Sequence, residues 1–221
     1  MRILAALDPY IFFMFISLLA SLRVFGRAGD PYRHLRTFPF FLLLSLVIES
    51  IGVYTSITNR NNLALYVPFS VFGICYFTWI ISRMIGKPSV RKLVRGAIAV
   101  YALISAMNIY YFQKGLFPTV TYSLGCLMVV MVSIYFFLEI FRSAASVKLV
   151  SNPDFWITSA LLFWHSCGLP LFGLINYWKG ISPVVLVNFA SILTILNIFL
   201  YLLFTIAFLC MKPRKYISSQ S

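Results

Sequence analysis

The chain has 221 residues, of which 61% are hydrophobic and only 10% are charged. A soluble domain carries roughly 25% charged residues, so this composition excludes a soluble globular protein and a disordered one. A helix needs about 20 apolar residues to cross the hydrocarbon core of a bilayer, which leaves room for seven or eight such helices. The composition therefore predicts a membrane protein without a separate catalytic or DNA-binding domain.

Long apolar runs predict an all-α integral membrane protein with seven transmembrane helices. The predicted spans cover residues 9–25, 38–57, 63–82, 95–112, 117–141, 154–177 and 182–210. We expect them to form one transmembrane domain. The first span is predicted to be retained and not cleaved as a signal peptide, because Asp8 and Pro9 interrupt it and its basic residues follow it.

The basic residues are distributed unequally between the two sides of this predicted bundle. Of the 18 Lys and Arg residues, 14 fall in the 1–2, 3–4 and 5–6 connections and the C-terminal tail, and 4 fall on the other side. Because Lys and Arg accumulate on the cytoplasmic side, we expect the N-terminus outside and the C-terminus in the cytoplasm. The net charge of +13 then forms mainly a cytoplasmic rim that attracts anionic lipid headgroups, and nucleic-acid binding is not expected.

Ionisable side chains inside a bilayer are costly, so those in the predicted spans are candidates for a functional site. Glu49 lies in the second span and shares one helical face with Ser45, Gly52 and Ser56, which are spaced by three or four residues. We expect Glu49 to face the bundle interior beside the fourth or sixth helix. His165 lies at comparable depth in the sixth span, so the two side chains could share a proton.

Other polar side chains extend this predicted seam. Helix four carries Tyr101 and Asn108 on one face, helix seven carries Asn197, and Glu139 lies nearer the inner end of helix five. The candidate ligand or proton site therefore comprises Glu49, Asn108, His165, Tyr101, Asn197 and Glu139. The alternative is that these groups are hydrogen-bonded links between helices, and for Glu139 that it pairs at the inner rim with Arg142 or another basic residue.

The sequence contains no motif that predicts catalysis, a metal or a cofactor. The patterns H-E-x-x-H, G-x-S-x-G, C-x-x-C and G-x-x-x-x-G-K-[ST] are all absent. The two histidines, His34 and His165, lie in separate regions and do not predict a metal site. A membrane enzyme would have to depend on Glu49 and His165 alone.

Six of the ten prolines lie near the N-terminal ends of predicted spans, namely Pro9, Pro39, Pro68, Pro118, Pro153 and Pro183. Their spacing pairs spans one to three with spans five to seven. This arrangement resembles the three-plus-one-plus-three repeat of small transporters such as the SWEET and PQ-loop proteins, although Pro-Gln pairs are absent. Proline is also favoured in the first turn of any helix, which explains the spacing without a repeat.

The segment 149–157, LVSNPDFWI, and the aromatic segment 161–164, LLFW, carry a more specific pattern. They resemble a P-x-F-W-I helix start in small seven-helix membrane proteins of Bacteroidetes-type bacteria. Members of that group look like stand-alone counterparts of the membrane sensor regions of histidine kinases. The resemblance covers the last third of the chain. It implies a bacterial inner membrane and a sensory role, and it assigns no binding residue.

Together these features predict a non-enzymatic membrane sensor or signalling component with a polar site inside the membrane. Such a protein would act through a partner protein, because no output domain is apparent. The alternative is a small transporter or channel that uses the same polar seam. A sensor predicts a site closed on one side, whereas a transporter predicts access from both faces. The sequence leaves the ligand and the oligomeric state open.

Overall fold

The computed structural model describes residues 8–27, 30–58, 62–113, 115–142, 149–173 and 183–211. Seven long helices account for most of them: α1 (Pro9–Ser21), α2 (Phe38–Ile57), α3 (Leu63–Met84), α4 (Pro88–Met107), α5 (Thr119–Arg142), α6 (Pro153–Gly173) and α7 (Pro183–Leu209). Each is long and apolar enough to span a membrane when the first is counted from Pro9 to Gly26. The prediction of seven such helices, with no strand in the described residues, is confirmed and suggests a multi-pass membrane protein.

The helix ends differ from the predicted spans in a few places. α4 begins at Pro88, earlier than the predicted start at residue 95, because a proline in the first turn loses no intrahelical hydrogen bond. After Met107 the chain continues as a π-helical turn, Asn108–Phe112, which ends where the N–H of Gln113 donates to the carbonyl oxygen of Asn108 at 2.8 Å. The predicted ends at residues 177 and 182 lie outside the described residues.

The connection between α1 and α2 is also largely helical. α1 is interrupted at Leu22 and continues as a short helix, Arg23–Arg27. A 3₁₀ segment, Asp30–Thr37, then leads into α2, with a kink at Tyr32. The described parts of this connection lie against α2, α3 and α7.

The helices pack into one bundle. α1 lies against α2 and α7, α7 against α6, and α6 against α5. α3 lies against α4, α5 and α6, and its contact with α2 is narrow. The most extensive contact of α1 is therefore with α7, and α3 packs mainly against α4 and α5.

Aromatic and aliphatic side chains close one end of the bundle. Phe38 in the first turn of α2 meets Phe204 and Phe208 of α7, with ring centroids 4.9 and 5.3 Å apart. Ile81 and Ile85, at the end of α3, are fully buried. We call this end, defined by these five residues, the closed end. It is the end at which α2, α4 and α6 begin. We call the opposite end, at which α1, α3, α5 and α7 begin, the open end, because the cavity described below reaches Asn62 and Leu63 there.

The segment 149–157 forms a locally stabilised helix start at the closed end. The side-chain oxygen of Asn152 accepts a hydrogen bond from the N–H of Asp154 at 3.0 Å, which is the usual role of a helix N-cap. The indole of Trp156 donates to the carbonyl oxygen of Val150 at 2.9 Å. Asp154 also lies 3.0 Å from the imidazole Nε2 of His34, so the start of α6 is tied to the α1–α2 connection.

Candidate functional site

A cavity of about 880 Å³ lies between α1, α2, α3, α5, α6 and α7. It extends from Ser56 and Asn62, near the open end, to Phe41 and Phe77, which lie one helical turn from the residues that define the closed end. This volume falls in the usual range for small-molecule sites, about 300–1,000 Å³. Its polar lining consists of Tyr10, Ser45, Glu49, Ser56, Asn62, Tyr66, Ser70, Tyr122, Trp164, His165, Asn197 and Tyr201. Its remaining lining is mainly aromatic and aliphatic, so the cavity combines apolar walls with a few polar groups.

Glu49 accepts hydrogen bonds from phenols on two neighbouring helices. The hydroxyl of Tyr10 on α1 donates to Oε2 at 2.9 Å, and the hydroxyl of Tyr66 on α3 donates to the same oxygen at 3.0 Å. Glu49 therefore faces the bundle interior, but its partners come from α1 and α3 and not from α4 or α6. The reason is that α1 and α3 both begin at the open end, so their first turns lie level with the last turns of α2.

Gly52 allows Tyr66 to approach α2 closely. A Cβ atom at this position would overlap the hydroxyl of Tyr66 and lie 2.8 Å from its Cζ atom. The side-chain amide of Asn62 also donates to the carbonyl oxygen of Gly52 at 3.2 Å. The missing side chain at Gly52 is thus what lets the phenol reach Glu49.

His165 is 2% exposed and lies on the cavity wall formed by α6. Its Nδ1 is 2.9 Å from the carbonyl oxygen of Leu161, and because a carbonyl can only accept, Nδ1 carries the proton. Nε2 is then an acceptor in the neutral ring, and no described residue donates to it. The ring lies edge-on to Phe77 and Trp164, with centroids 5.9 and 5.0 Å apart.

Glu49 and His165 line the same cavity without bonding to each other. The hydrogen bonds of Glu49 come from Tyr10 and Tyr66, whereas that of His165 goes to the backbone of its own helix. The two groups therefore do not form a direct proton-sharing pair.

Asn197 joins the same cavity from α7. Its side-chain oxygen accepts a hydrogen bond from the indole N–H of Trp164 at 3.0 Å. Tyr201, one turn further along α7, also lines the cavity. α7 therefore contributes polar side chains to the site at two successive turns.

Asn108 and Tyr101 lie outside this cavity. The amide of Asn108 donates to the side-chain oxygens of Gln113, at 2.7 Å, and Thr121, at 3.2 Å, and so fixes the end of α4 to the start of α5. Tyr101 is buried against Gly125, where a Cβ atom would lie 2.6 Å from its hydroxyl. Of the predicted seam, the structure therefore brings Glu49, His165 and Asn197 together and places these two residues elsewhere.

Glu139 lies beyond the cavity, beside the start of α4. Its carboxylate oxygens accept hydrogen bonds from the backbone N–H groups of Gly86, at 3.0 Å, and Lys87, at 3.2 Å. The expected ion pair with Arg142 or another basic side chain is not present among the described residues. The N–H groups at the start of a helix lack intrahelical acceptors, which explains why the carboxylate binds there.

Sequence reasoning did not single out Tyr10, Tyr66 or Asn62. Tyrosines in the terminal turns of membrane helices are ordinarily expected at the lipid interface. For this reason the sequence did not indicate that Tyr10 and Tyr66 bind Glu49. Their shared position, at the start of helices that begin at the same end, is the signal that could have found them.

Comparisons with protein-family models, curated proteins and solved structures find no match to this chain. The interpretation of the site therefore depends on its geometry.

Proposed function

We propose that this protein is a non-enzymatic membrane sensor. A small ligand enters the cavity from the open end, and the closed end passes the bound state to a partner protein. The supporting observation is the asymmetry of the bundle, whose cavity of about 880 Å³ reaches the open end, while packed aromatic rings fill the closed end. A site of this shape can receive a ligand without releasing it on the opposite side.

α6 provides the connection between the two ends in this proposal. Midway along its length it carries Trp164 and His165 on the cavity wall, and at the closed end it begins beside the contact between Asp154 and His34. In this proposal α6 can take two positions, and a ligand that binds more tightly to one of them shifts their populations. The contact between Asp154 and His34 would then differ between the free and bound states.

The proposed orientation places the open end outside a bacterial inner membrane and the closed end in the cytoplasm. Basic side chains at Arg83, Lys87, Lys92 and Arg95 are exposed around the start of α4, at the closed end. Such a rim favours the cytoplasmic side and its anionic lipids. The resemblance of segment 149–157 to a helix start in small seven-helix proteins of Bacteroidetes-type bacteria, which itself implied a sensory role, is a further reason for this proposal.

The side of the membrane from which the cavity can be reached distinguishes a sensor from a transporter. Ser70 lines the cavity and Ser89 is exposed at the closed end. In a background without the four native cysteines, Ser70→Cys and Ser89→Cys would be treated with a membrane-impermeant thiol reagent in right-side-out and inverted vesicles. A sensor predicts labelling of Ser70→Cys from the outside only. Labelling from both sides would favour the transporter and contradict the proposal.

Whether a change in the cavity reaches the closed end through α6 can be tested without a known ligand. A Cβ atom at Gly73 would meet only Phe41 at 3.9 Å among the atoms nearby, so Gly73→Ala fits, whereas Gly73→Phe would fill the cavity. We expect Gly73→Phe to alter amide hydrogen exchange at the start of α6, including Asp154, relative to Gly73→Ala. If both variants fold and their amide hydrogen exchange at the start of α6 is identical, the proposal that α6 connects the cavity to the closed end is contradicted.

A further inference from the structure

The cavity has an excess of hydrogen-bond acceptors. Glu49 uses Oε2 for both phenols, and no described residue donates to its Oε1. Nε2 of His165 has no described donor, and the side-chain oxygen of Asn62 is buried without a hydrogen-bond partner. Three acceptor atoms therefore remain for a ligand that brings donors.

Several donors on the cavity wall are, by contrast, already engaged, although no described hydrogen bond is donated by the hydroxyls of Ser56 and Tyr201. The hydroxyls of Tyr10 and Tyr66 donate to Glu49, and the indole N–H of Trp164 donates to Asn197. No Lys or Arg belongs to the described lining, and Glu49 is its one carboxylate. Among the described lining residues, an anionic ligand would meet a carboxylate and no compensating positive charge.

The walls supply aromatic faces in addition to these acceptors. Phe77, Phe172 and Trp164 line the cavity together with several tyrosines. Aromatic faces attract cations through their quadrupole, and Trp is the strongest of them. A carboxylate surrounded by aromatic rings therefore matches a positively charged group attached to an apolar body.

We propose that the cavity binds a small organic cation, with an ammonium group at Glu49 and an apolar or aromatic body against Phe77, Phe172 and Trp164. This inference rests on the ligand-binding cavity of the proposed sensor and names the chemical class of its ligand. A cation neutralises the carboxylate where water is scarce, and its N–H groups satisfy the spare acceptors. A neutral ligand of the same shape leaves the carboxylate without a counter-charge.

Three probes that share a phenylbutyl group but differ in charge test the charge requirement. They are 4-phenylbutylammonium, the neutral N-acetyl-4-phenylbutylamine and the anionic 5-phenylpentanoate. Their binding would be measured by calorimetry on the full chain in nanodiscs of zwitterionic lipid, with empty nanodiscs as the blank. We expect the ammonium compound to bind at least about 10-fold more tightly than either analogue, because hydrogen bonds to charged groups are the stronger class.

Two carboxamide variants separate the role of Glu49 from general charge effects. Glu49→Gln keeps the shape of the side chain and removes its charge, and we expect it to weaken binding of the ammonium compound about 10- to 100-fold. Glu139→Gln is the matched control, because this carboxylate lies outside the cavity. It should leave the affinity unchanged. Equal losses in both variants would overturn the inference.

A second measurement covers the case in which Glu49→Gln does not fold. With Glu49 intact, 4-phenylbutylammonium should slow the thiol labelling of Ser70→Cys, and the neutral and anionic compounds should slow it at least about 10-fold less at equal concentration. The contrary result is that all three compounds protect Ser70→Cys equally and that Gly73→Phe abolishes the protection. That result would overturn the requirement for a cation but would not contradict the sensor proposal. Binding of the ammonium compound that persists in Gly73→Phe would place it outside the cavity and overturn the inference. The sensor proposal itself fails on two-sided labelling, which is a separate outcome.

Discussion

The imidazole of His34 in the α1–α2 connection lies 3.0 Å from the carboxylate of Asp154 in the first turn of α6, and both side chains are largely buried. This contact joins two segments that are 120 residues apart in the chain. It lies at the closed end, where a partner protein would have to detect a change. Breaking this contact therefore tests how much it contributes to holding the start of α6 in place.

A double-mutant cycle on His34→Gln and Asp154→Asn should show an interaction free energy of about 1 kcal/mol, within the range for polar contacts between membrane helices. The measurement is the free energy of unfolding in mixed micelles. Asn152→Ala is the control, since it removes the neighbouring helix cap at a cost of about 1 kcal/mol without removing a contact to His34. Strict additivity of His34→Gln and Asp154→Asn would show that the contact does not stabilise the fold.

The two phenols that bind Glu49 should contribute non-additively. Both donate to the same carboxylate oxygen, so Tyr10→Phe or Tyr66→Phe alone leaves one donor in place. We expect each single variant to cost about 0.5–1 kcal/mol of stability and the double variant to cost more than the sum. Tyr54→Phe on the exposed face of α2 serves as the control and should change little. An additive double variant would contradict a shared acceptor.

Gly52→Ala should be strongly destabilising although alanine is the better helix former. The new methyl group would collide with the phenol of Tyr66 and force it away from Glu49. We expect a loss of about 1–3 kcal/mol, as is usual for overpacked positions. Gly96→Ala on α4 meets no atom within 4 Å and should be neutral or stabilising by up to about 1 kcal/mol. Equal behaviour of the two variants in thermal unfolding would refute the close approach.

Glu139→Gln should loosen the α3–α4 connection. The carboxylate accepts from the N–H groups of both Gly86 and Lys87, and an amide side chain offers only one oxygen. We expect faster hydrogen exchange at these two amides and a stability loss of about 1 kcal/mol. Arg142→Gln is the contrasting variant and should leave the exchange at Gly86 and Lys87 unchanged. Slower or unaltered exchange in Glu139→Gln would contradict the capping role.

The orientation of the bundle can be tested with two exposed positions at opposite ends. Thr58→Cys lies at the end of α2 near the open end, and Ser89→Cys lies at the start of α4 at the closed end. In intact spheroplasts, an impermeant thiol reagent should label Thr58→Cys and spare Ser89→Cys, because the basic connections are expected in the cytoplasm. The reverse pattern would invert the proposed topology.

Hydropathy predicted the seven helices because each must satisfy its backbone internally and present apolar side chains to lipid. The face of Glu49 was predictable for the same reason, since a carboxylate is costly in lipid. The partners of Glu49 were not, because periodicity within one helix does not specify which other helix lies beside it. Asn108 and Glu139 illustrate a further limit. Both bind groups at or near the ends of helices, and such contacts depend on how connections fold in three dimensions.

The hydrogen bond between Trp164 and Asn197 gives the protein an intrinsic optical reporter. The indole of Trp164 lies on the cavity wall, whereas Trp79 stacks near Tyr76 on α3 and Trp156 bonds to Val150 at the closed end. Replacing Trp79, Trp156 and Trp178 by phenylalanine would leave a single indole beside the proposed ligand. Its emission wavelength depends on local polarity and on its hydrogen bond, so a non-fluorescent compound could be detected in the cavity without any label.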